Sequence, residues 1–381
     1  MKTIRFGLIG GGLMGREFAS AAARWCALLD VDFRPEIVAV CNRSPAPFAW
    51  FRRHFPDVTQ LTHDYRELLA NAAVEAVYVA VPHHLHEEVC CAVIASGKHL
   101  LGEKPLGLDL AANTAILDAW RRHPQVFLRC ASQWAFFPAA QRIGDAIDRQ
   151  AFGRIIEVNA GFLHSSDLDP NRPINWKRLI ELNGEYGCLG DLGMHVCFIP
   201  FRAGWRPRNV RAILSDLVKE RPDGRGSRVP CRTWDNATLF CEATDPVSGE
   251  TFPLTVRTQR IAPGEKNTWY LEVYGMKASA RFSTRDPKRL EWLEYTGGEQ
   301  IWGRIQTGHE TAFKTITGPN FEFGAPDAML QMLAAFLHEL IHGRPLKRFA
   351  GCVTPPEVAL SHGLFTAALK SQQRGTVEPV D

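Results

Sequence analysis

Two stretches of this chain carry side chains whose types and spacing could do chemistry. Lys104 stands in Gly102-Glu103-Lys104-Pro105-Leu106, directly after the short apolar run His99 to Leu101. That run reads as a buried strand, so Lys104 falls at a strand's carboxyl end, the edge where open α/β sheets bind ligands. A snorkelling surface lysine beside a turn proline accounts for the same five residues. Downstream, Asp191 and His195 are four apart in Gly187-Cys188-Leu189-Gly190-Asp191-Leu192-Gly193-Met194-His195. On a helix that spacing points both side chains the same way. The pair serves either capping and packing or catalysis, since a neutral imidazole is a base matched to neutral pH.

The elements that must position these residues begin at the N-terminus. Ile4 to Ile9 is β-branched and apolar and feeds into Gly10-Gly11-Gly12-Leu13-Met14-Gly15, after which Arg16 to Leu29 reads as a helix. This is Gly-x-Gly-x-x-Gly in the strand-turn-helix context of a dinucleotide site. Gly10 permits the tight turn, Gly12 lets the backbone approach a pyrophosphate, and Gly15 lets helix and strand pack closely. The phosphate would sit on free N–H groups at the helix start, at Gly12, Leu13 and Met14. The second strand, Glu36 to Cys41, ends in Asn42-Arg43-Ser44. An acidic residue at that tip would bond the ribose hydroxyls and repel a 2′-phosphate. Asn42 brings no negative charge, and Arg43 could stack on adenine or pair with a phosphate. The reading leans towards NADP over NAD, with Arg43 as a solvated turn residue the alternative.

The βαβ rhythm continues through a short helical stretch at Tyr65 to Leu69, an all-apolar strand at Ala76 to Val81, an amphipathic helix at Leu85 to Ser96 and the strand at His99, which together imply a parallel sheet. Between the last two strands, Val81-Pro82-His83-His84-Leu85-His86 aims a polar cluster at the cofactor edge. No carboxylate or cysteine set completes a metal site there, and none is expected. The ten cysteines are scattered with no Cys-x-x-Cys pair, which reads as reduced, mostly buried thiols.

The glycine fingerprint, Pro82-x-x-x-His86, Ala95-Ser96-Gly97-Lys98-His99 and Glu103-Lys104-Pro105 together resemble the Gfo/Idh/MocA oxidoreductases, with motifs in the expected order over nearly the whole chain. The resemblance implies that Lys104 is catalytic and that Pro105 follows a cis peptide. It also implies that Asp191-x-x-x-His195 is the second active-site motif, completing a lysine, aspartate and histidine set. Cofactor contacts are implied at Val81, Pro82, His83, His86, Glu103, Lys104 and Gln133. Substrate contacts are implied at Lys104, Trp134, Asn175, Trp176, Lys177, Asp191 and His195; any single tryptophan here could equally be core or interface packing. In such a set His195 would be the general base, Lys104 would hold the substrate hydroxyl and stabilise alkoxide character, and Asp191 would orient the substrate or the imidazole. Two departures from many relatives, Ala135 in place of arginine and Phe198 in place of an acid, alter pocket polarity.

Leu110 to Arg122 reads as a helix and Val126 to Cys130 as the last strand of the first domain. Beyond them, alternating segments at Arg154 to Leu163, Val210 to Leu217, Ala237 to Ala243, Phe252 to Thr258, Trp269 to Tyr274 and Leu290 to Tyr295 argue for antiparallel strands with one covered face. Helices at Ala139 to Arg149, Gly187 to Arg202 and Asp327 to Gly343 could cover it. The expected fold class is α/β plus α+β: a Rossmann dinucleotide-binding domain over 1–131, then a substrate-binding and oligomerisation domain over 132–381 with a large, open, mostly antiparallel sheet. The Pro355 to Arg374 helix is expected to pack back on the first domain. The exposed sheet face suggests a homodimer or homotetramer.

With 381 residues, a net charge of +3 and no long basic block, nothing points to nucleic acid or a membrane surface as partner. No leader or transmembrane run is visible, so a cytoplasmic location is expected. The expected activity is NAD(P)-dependent hydride transfer at a hydroxyl-bearing carbon of a sugar, cyclitol or related polyol. The alternatives are a glycoside hydrolase of the same family that works by transient oxidation and elimination, and a non-catalytic cofactor-sensing regulator.

Overall fold

The computed structural model describes residues 1–380, and the chain divides into two compact units. One comprises Met1–Phe136 with His309–Pro355, the other Phe137–Gly308 with Pro356–Asp381.

Among the described residues the first unit holds a six-stranded sheet of β1 (Lys2–Ile9), β2 (Phe33–Cys41), β3 (Gln60–Thr62), β4 (Ala76–Val79), β5 (His99–Gly102) and β6 (Leu128–Cys130). Their order is β3-β2-β1-β4-β5-β6, and every pairing is parallel. The order reverses between β1 and β4, which creates the crevice at the strands' carboxyl ends where such sheets take ligands. Every residue of β4 is buried, as a strand covered on both faces requires. The helix after the glycines runs Leu13–Ala23 and gives way to a 3-10 turn at Arg24–Ala27, so the helix expected from Arg16 to Leu29 starts and ends earlier.

The Ala325–His342 helix belongs to this unit rather than covering the second domain's sheet. It packs on the Leu13–Ala23 helix, and Phe336 meets Phe6 of β1 at 6.0 Å between ring centroids. Its apolar stripe does not reveal which sheet it covers, which is why periodicity alone misplaces it.

The second unit is built on β7 (Ile155–Leu163), β8 (Arg206–Ser215), β9 (Glu220–Pro222), β10 (Arg228–Pro230), β11 (Asn236–Thr244), β12 (Thr251–Gln259), β13 (Thr268–Gly275), β14 (Ala278–Ser283), β15 (Arg289–Glu294), β16 (Gly303–Gln306) and β17 (Glu378–Pro379). Nine of these form one sheet in the order β16-β15-β14-β13-β7-β12-β11-β8-β17, while β9 and β10 make a separate hairpin. Apart from the parallel β7–β12 pair the sheet is antiparallel. Residues of β11 and β12 alternate between buried and more exposed. The Pro138–Asp148 and Met194–Ala203 helices lie on the covered face, whereas Ile156, Ile213 and Phe240 point outward. The Pro355–Arg374 helix bonds within this unit: Glu357 accepts both Nε and Nη2 of Arg202 at 2.7 Å, and Ser371 Oγ accepts the Ala212 N–H at 2.9 Å.

Candidate active site

In the first unit, the end of β1 forms a cradle whose shape is set by main-chain sterics. Gly10 has φ 108°, and a Cβ there would lie 2.2 Å from the Ala80 carbonyl oxygen. At Gly15 a Cβ would lie 2.0 Å from the carbonyl oxygen of Gly10, so the helix can press onto the turn only without a side chain. Gly12 differs: a Cβ would meet no protein atom within 4 Å, so packing within the chain does not demand glycine there. The open space in front of Gly12 leaves room for a ligand to approach the backbone, and the pattern fits a pyrophosphate on the first N–H groups of the Leu13–Ala23 helix. No acidic residue lies in that helix's first turn to oppose it.

Asn42 at the β2 tip is part of the cradle. Its Oδ1 accepts the Gly11 N–H at 3.0 Å and its Nδ2 donates to the Ser44 carbonyl at 2.7 Å. Arg43 and Ser44 beside it are exposed. Across the crevice, Val81 and Pro82 are half-buried, and His83 and His86 are buried. The His86 ring is braced by backbone at both nitrogens: Nδ1 accepts the Gly107 N–H at 3.3 Å, which leaves Nε2 to donate to the Val81 carbonyl at 3.0 Å. This histidine fixes the loop after β4 to the turn after β5.

Lys104 leaves the carboxyl end of β5 half-buried, and the Lys104–Pro105 peptide is cis. Glu103 beside it is buried and accepts the Tyr78 hydroxyl at 2.5 Å. Burial, then Glu103, hold the Tyr78 hydroxyl well above its usual range. The Cys130 thiol on β6 is pushed well up in the same way, by burial first and Glu103 next, with Lys104 opposing. Gln133 is half-buried, and Trp134, 5% exposed, opens the 3-10 turn Trp134–Phe136 that ends this part of the unit.

In the second unit, the glycine-rich run folds as a π-helical turn over Leu189–Gly193 that passes into the Met194–Ala203 α-helix. Asp191 and His195 therefore straddle a junction of two helical pitches, not one straight helix, and the simple i, i+4 geometry does not apply. Single π turns inside α-helices are frequent at functional sites. His195 is 6% exposed. Its ring meets that of Phe162 on β7 edge-on at 5.6 Å between centroids, and its carbonyl accepts Trp269 Nε1 at 2.9 Å.

Asp191, 3% exposed, is held at Oδ2 by Lys177 Nζ at 2.9 Å and by Arg260 Nη2 at 3.1 Å. The structure thus brings together two of the expected substrate residues, Lys177 and Asp191. Trp176 is half-buried beside them, with the Lys177 ammonium 5.8 Å from its ring. Asn175 is exposed and spends its Oδ1 on the Lys177 N–H at 2.9 Å, capping the Trp176–Arg178 turn. Arg260 escaped the sequence reading because a lone arginine after a strand has no local signature. Among the described residues, no group of three or more histidine, cysteine or acidic side chains is arranged to hold a metal ion, and no helix is long and apolar enough to cross a membrane.

A six-stranded parallel sheet with a glycine cradle, joined in one chain to a large antiparallel sheet, is the architecture of a dinucleotide-dependent oxidoreductase. The model of the oxidoreductase family with NAD-binding Rossmann fold, Gfo/Idh/MocA, matches residues 4–129. An uncharacterized oxidoreductase of Synechocystis is 30% identical over 315 residues, covering 82% of this chain and 80% of the relative. A levoglucosan dehydrogenase of Pseudarthrobacter phenanthrenivorans is 27% identical over 345 residues, covering 85% and 83%. A solved levoglucosan dehydrogenase in complex with NADH and L-sorbose superposes with a TM-score of 0.89 at 23% identity, over 100% of both chains. The chain belongs to the Gfo/Idh/MocA oxidoreductase family and is an oxidoreductase.

Proposed function

We propose that this protein transfers a hydride between a nicotinamide cofactor and a CH–OH carbon of a sugar, cyclitol or related polyol. The observation that carries the reading is that one chain combines a steric cradle for a dinucleotide with a buried imidazole and an anchored carboxylate at the π turn. Support comes from relatives named levoglucosan dehydrogenase and, in Sus scrofa, trans-1,2-dihydrobenzene-1,2-diol dehydrogenase, both named for substrates that carry hydroxyl groups.

A bound nicotinamide dinucleotide supplies the hydride acceptor or donor. Gly10, Gly12, Leu13 and Met14 hold its pyrophosphate, with Asn42 keeping the loop in shape. His83, Glu103 and Gln133 line the cofactor edge, and His86 positions the Val81–Pro82 segment. Losing a hydride from a carbinol carbon requires the hydroxyl proton to leave too, and His195 takes it as general base. Lys104 holds the substrate hydroxyl and stabilises the alkoxide character that develops. Asp191 orients the substrate, with Trp134, Asn175, Trp176 and Lys177 shaping recognition. NADP is the preferred cofactor on this reading, because the β2 tip offers Asn42 and an exposed Arg43 where a carboxylate would repel a 2′-phosphate.

The test is reduction of NAD+ and NADP+, followed by absorbance, against a panel of sugars, cyclitols and anhydrosugars. Lys104→Met and His195→Ala are each expected to lower turnover by about 1000-fold or more while retaining cofactor binding. Normal turnover in either variant removes the role given to that residue. Hydrolysis of a glycoside with no net cofactor reduction, and solvent deuterium entering the neighbouring carbon, would overturn net oxidation.

A further inference from the structure

The carboxylate of Asp191 is gripped by two cations of different character. Lys177 reaches it from the Trp176–Arg178 turn and its side chain is 39% exposed. Arg260, directly after β12, is 2% exposed. It sets both Nε, at 3.2 Å, and Nη2, at 3.1 Å, on the same Asp191 oxygen. The third nitrogen, Nη1, donates to the Lys177 carbonyl at 3.0 Å, and Asn183 Oδ1 lies 3.5 Å from Nη2. The Arg260 backbone is committed as well, its N–H to the Asp235 carbonyl at 2.9 Å and its carbonyl to the Asp167 N–H at 3.3 Å. One guanidinium thus joins the π turn that carries Asp191 to the turn that carries Lys177.

We propose that Arg260 is a positioning residue for the hydride-transfer chemistry, holding Asp191 and the Lys177 main chain in one frame so that the carboxylate meets substrate already oriented. The inference rests on the dehydrogenase reading above. Geometry separates the two cations. A guanidinium is a planar, pre-organised fork and its grip on two partners fixes their relative orientation, whereas an ammonium on a flexible stem fixes only a distance. Stability alone is a poor reason for the arrangement, because a buried ion pair contributes little net stabilisation over well-packed apolar residues of the same volume. Pre-orienting a group that contacts substrate contributes to rate directly, since a displacement near 1 Å can cost about 100-fold.

The experiment uses the full chain with Arg260→Met and Arg260→Lys, and reads kcat and KM for the polyol, NAD(P)H binding, thermal stability and crystal structures. In Arg260→Met, kcat is expected to fall about 100-fold with KM changed by less than about threefold, and Arg260→Lys to recover about tenfold of that loss. The crystals are expected to show the Asp191 carboxylate displaced in Arg260→Met and displaced by a smaller distance in Arg260→Lys, in step with the partial recovery of kcat. A folded Arg260→Met with wild-type kcat, or with Asp191 unmoved, overturns the proposal. If Arg260→Met does not fold, Arg260→Lys decides: a tenfold lower kcat at constant KM supports positioning, and an unchanged kcat overturns it. If the wild-type chain turns over no polyol, the dehydrogenase reading fails, and the place of Asp191 in the crystals still decides whether Arg260 positions it.

Discussion

The cradle after β1 and the polar frame around Asp191 both exist to hold something still, and they do so by opposite means. The cradle is made of backbone. Its positions are set by where a Cβ cannot go, 2.2 Å from one carbonyl oxygen at Gly10 and 2.0 Å from another at Gly15. The frame is made of side-chain charge: Lys177, Arg178 and Arg260 against Asp167, Asp191 and Asp235, with Arg178 and Asp235 fully buried. A steric device tolerates no substitution at its contact point and ignores salt. A charged device tolerates paired replacement and fails when one partner is removed alone.

The sharpest way to break the comparison is at Gly15. Its neighbour is a main-chain atom of Gly10, which no rotamer change can move aside. Gly15→Val is expected to abolish detectable NAD(P)H binding in a fluorescence titration and to cost about 1–3 kcal/mol of stability by overpacking. A cofactor affinity within about threefold of wild type would show that helix and turn can separate freely, and the steric account would be lost.

Next in size is Arg178→Met. It leaves Asp235 buried with its Oδ2 accepting the Leu217 and Val218 N–H groups at 2.6 and 2.9 Å, but without its cation. An uncompensated buried charge of this kind costs about 3–5 kcal/mol, seen as a lower denaturant midpoint. The double variant Arg178→Met with Asp235→Asn, which removes the charge and keeps an amide oxygen for the Leu217 and Val218 N–H groups, should lose less than the single one. If the double variant is the worse, the frame is held by shape and not by charge.

The same contrast explains what the sequence disclosed. The cradle was legible because its parts are contiguous: an apolar strand, three glycines at fixed offsets and a helix, each demanded by local sterics. Glu103-Lys104-Pro105 was legible for the same reason. The frame was not. Arg178 finds Asp235 across 57 residues and Arg260 finds Asp191 across 69, and a single sequence carries no trace of which buried charges will meet. From sequence the π turn reads as ordinary helix, because glycines at 187, 190 and 193 have a spacing compatible with either pitch and the choice is made by packing. The short β9–β10 hairpin and β16 lack the alternation that exposed the longer strands. The segment from Asp327 to Gly343 reads as a helix, as the observed Ala325–His342 helix is, but its apolar stripe does not name its packing partner.

The smallest expected effect belongs to Arg43, and it tests whether charge can work in the cradle's own neighbourhood. The residue is exposed at the β2 tip, so any attraction to a 2′-phosphate is screened and worth little by the standard of buried groups. Arg43→Ala should therefore weaken NADPH by about tenfold at most, weaken NADH less, and show a difference between the two that shrinks as salt is raised. A buried pair such as Arg178 and Asp235 should show no comparable sensitivity to salt. Equal losses for the two cofactors would leave Asn42 as the feature at the β2 tip that bears on cofactor choice. Its amide is already spent on Gly11 and Ser44, so the preference would then reduce to the absence of a carboxylate, which admits NADP without selecting it.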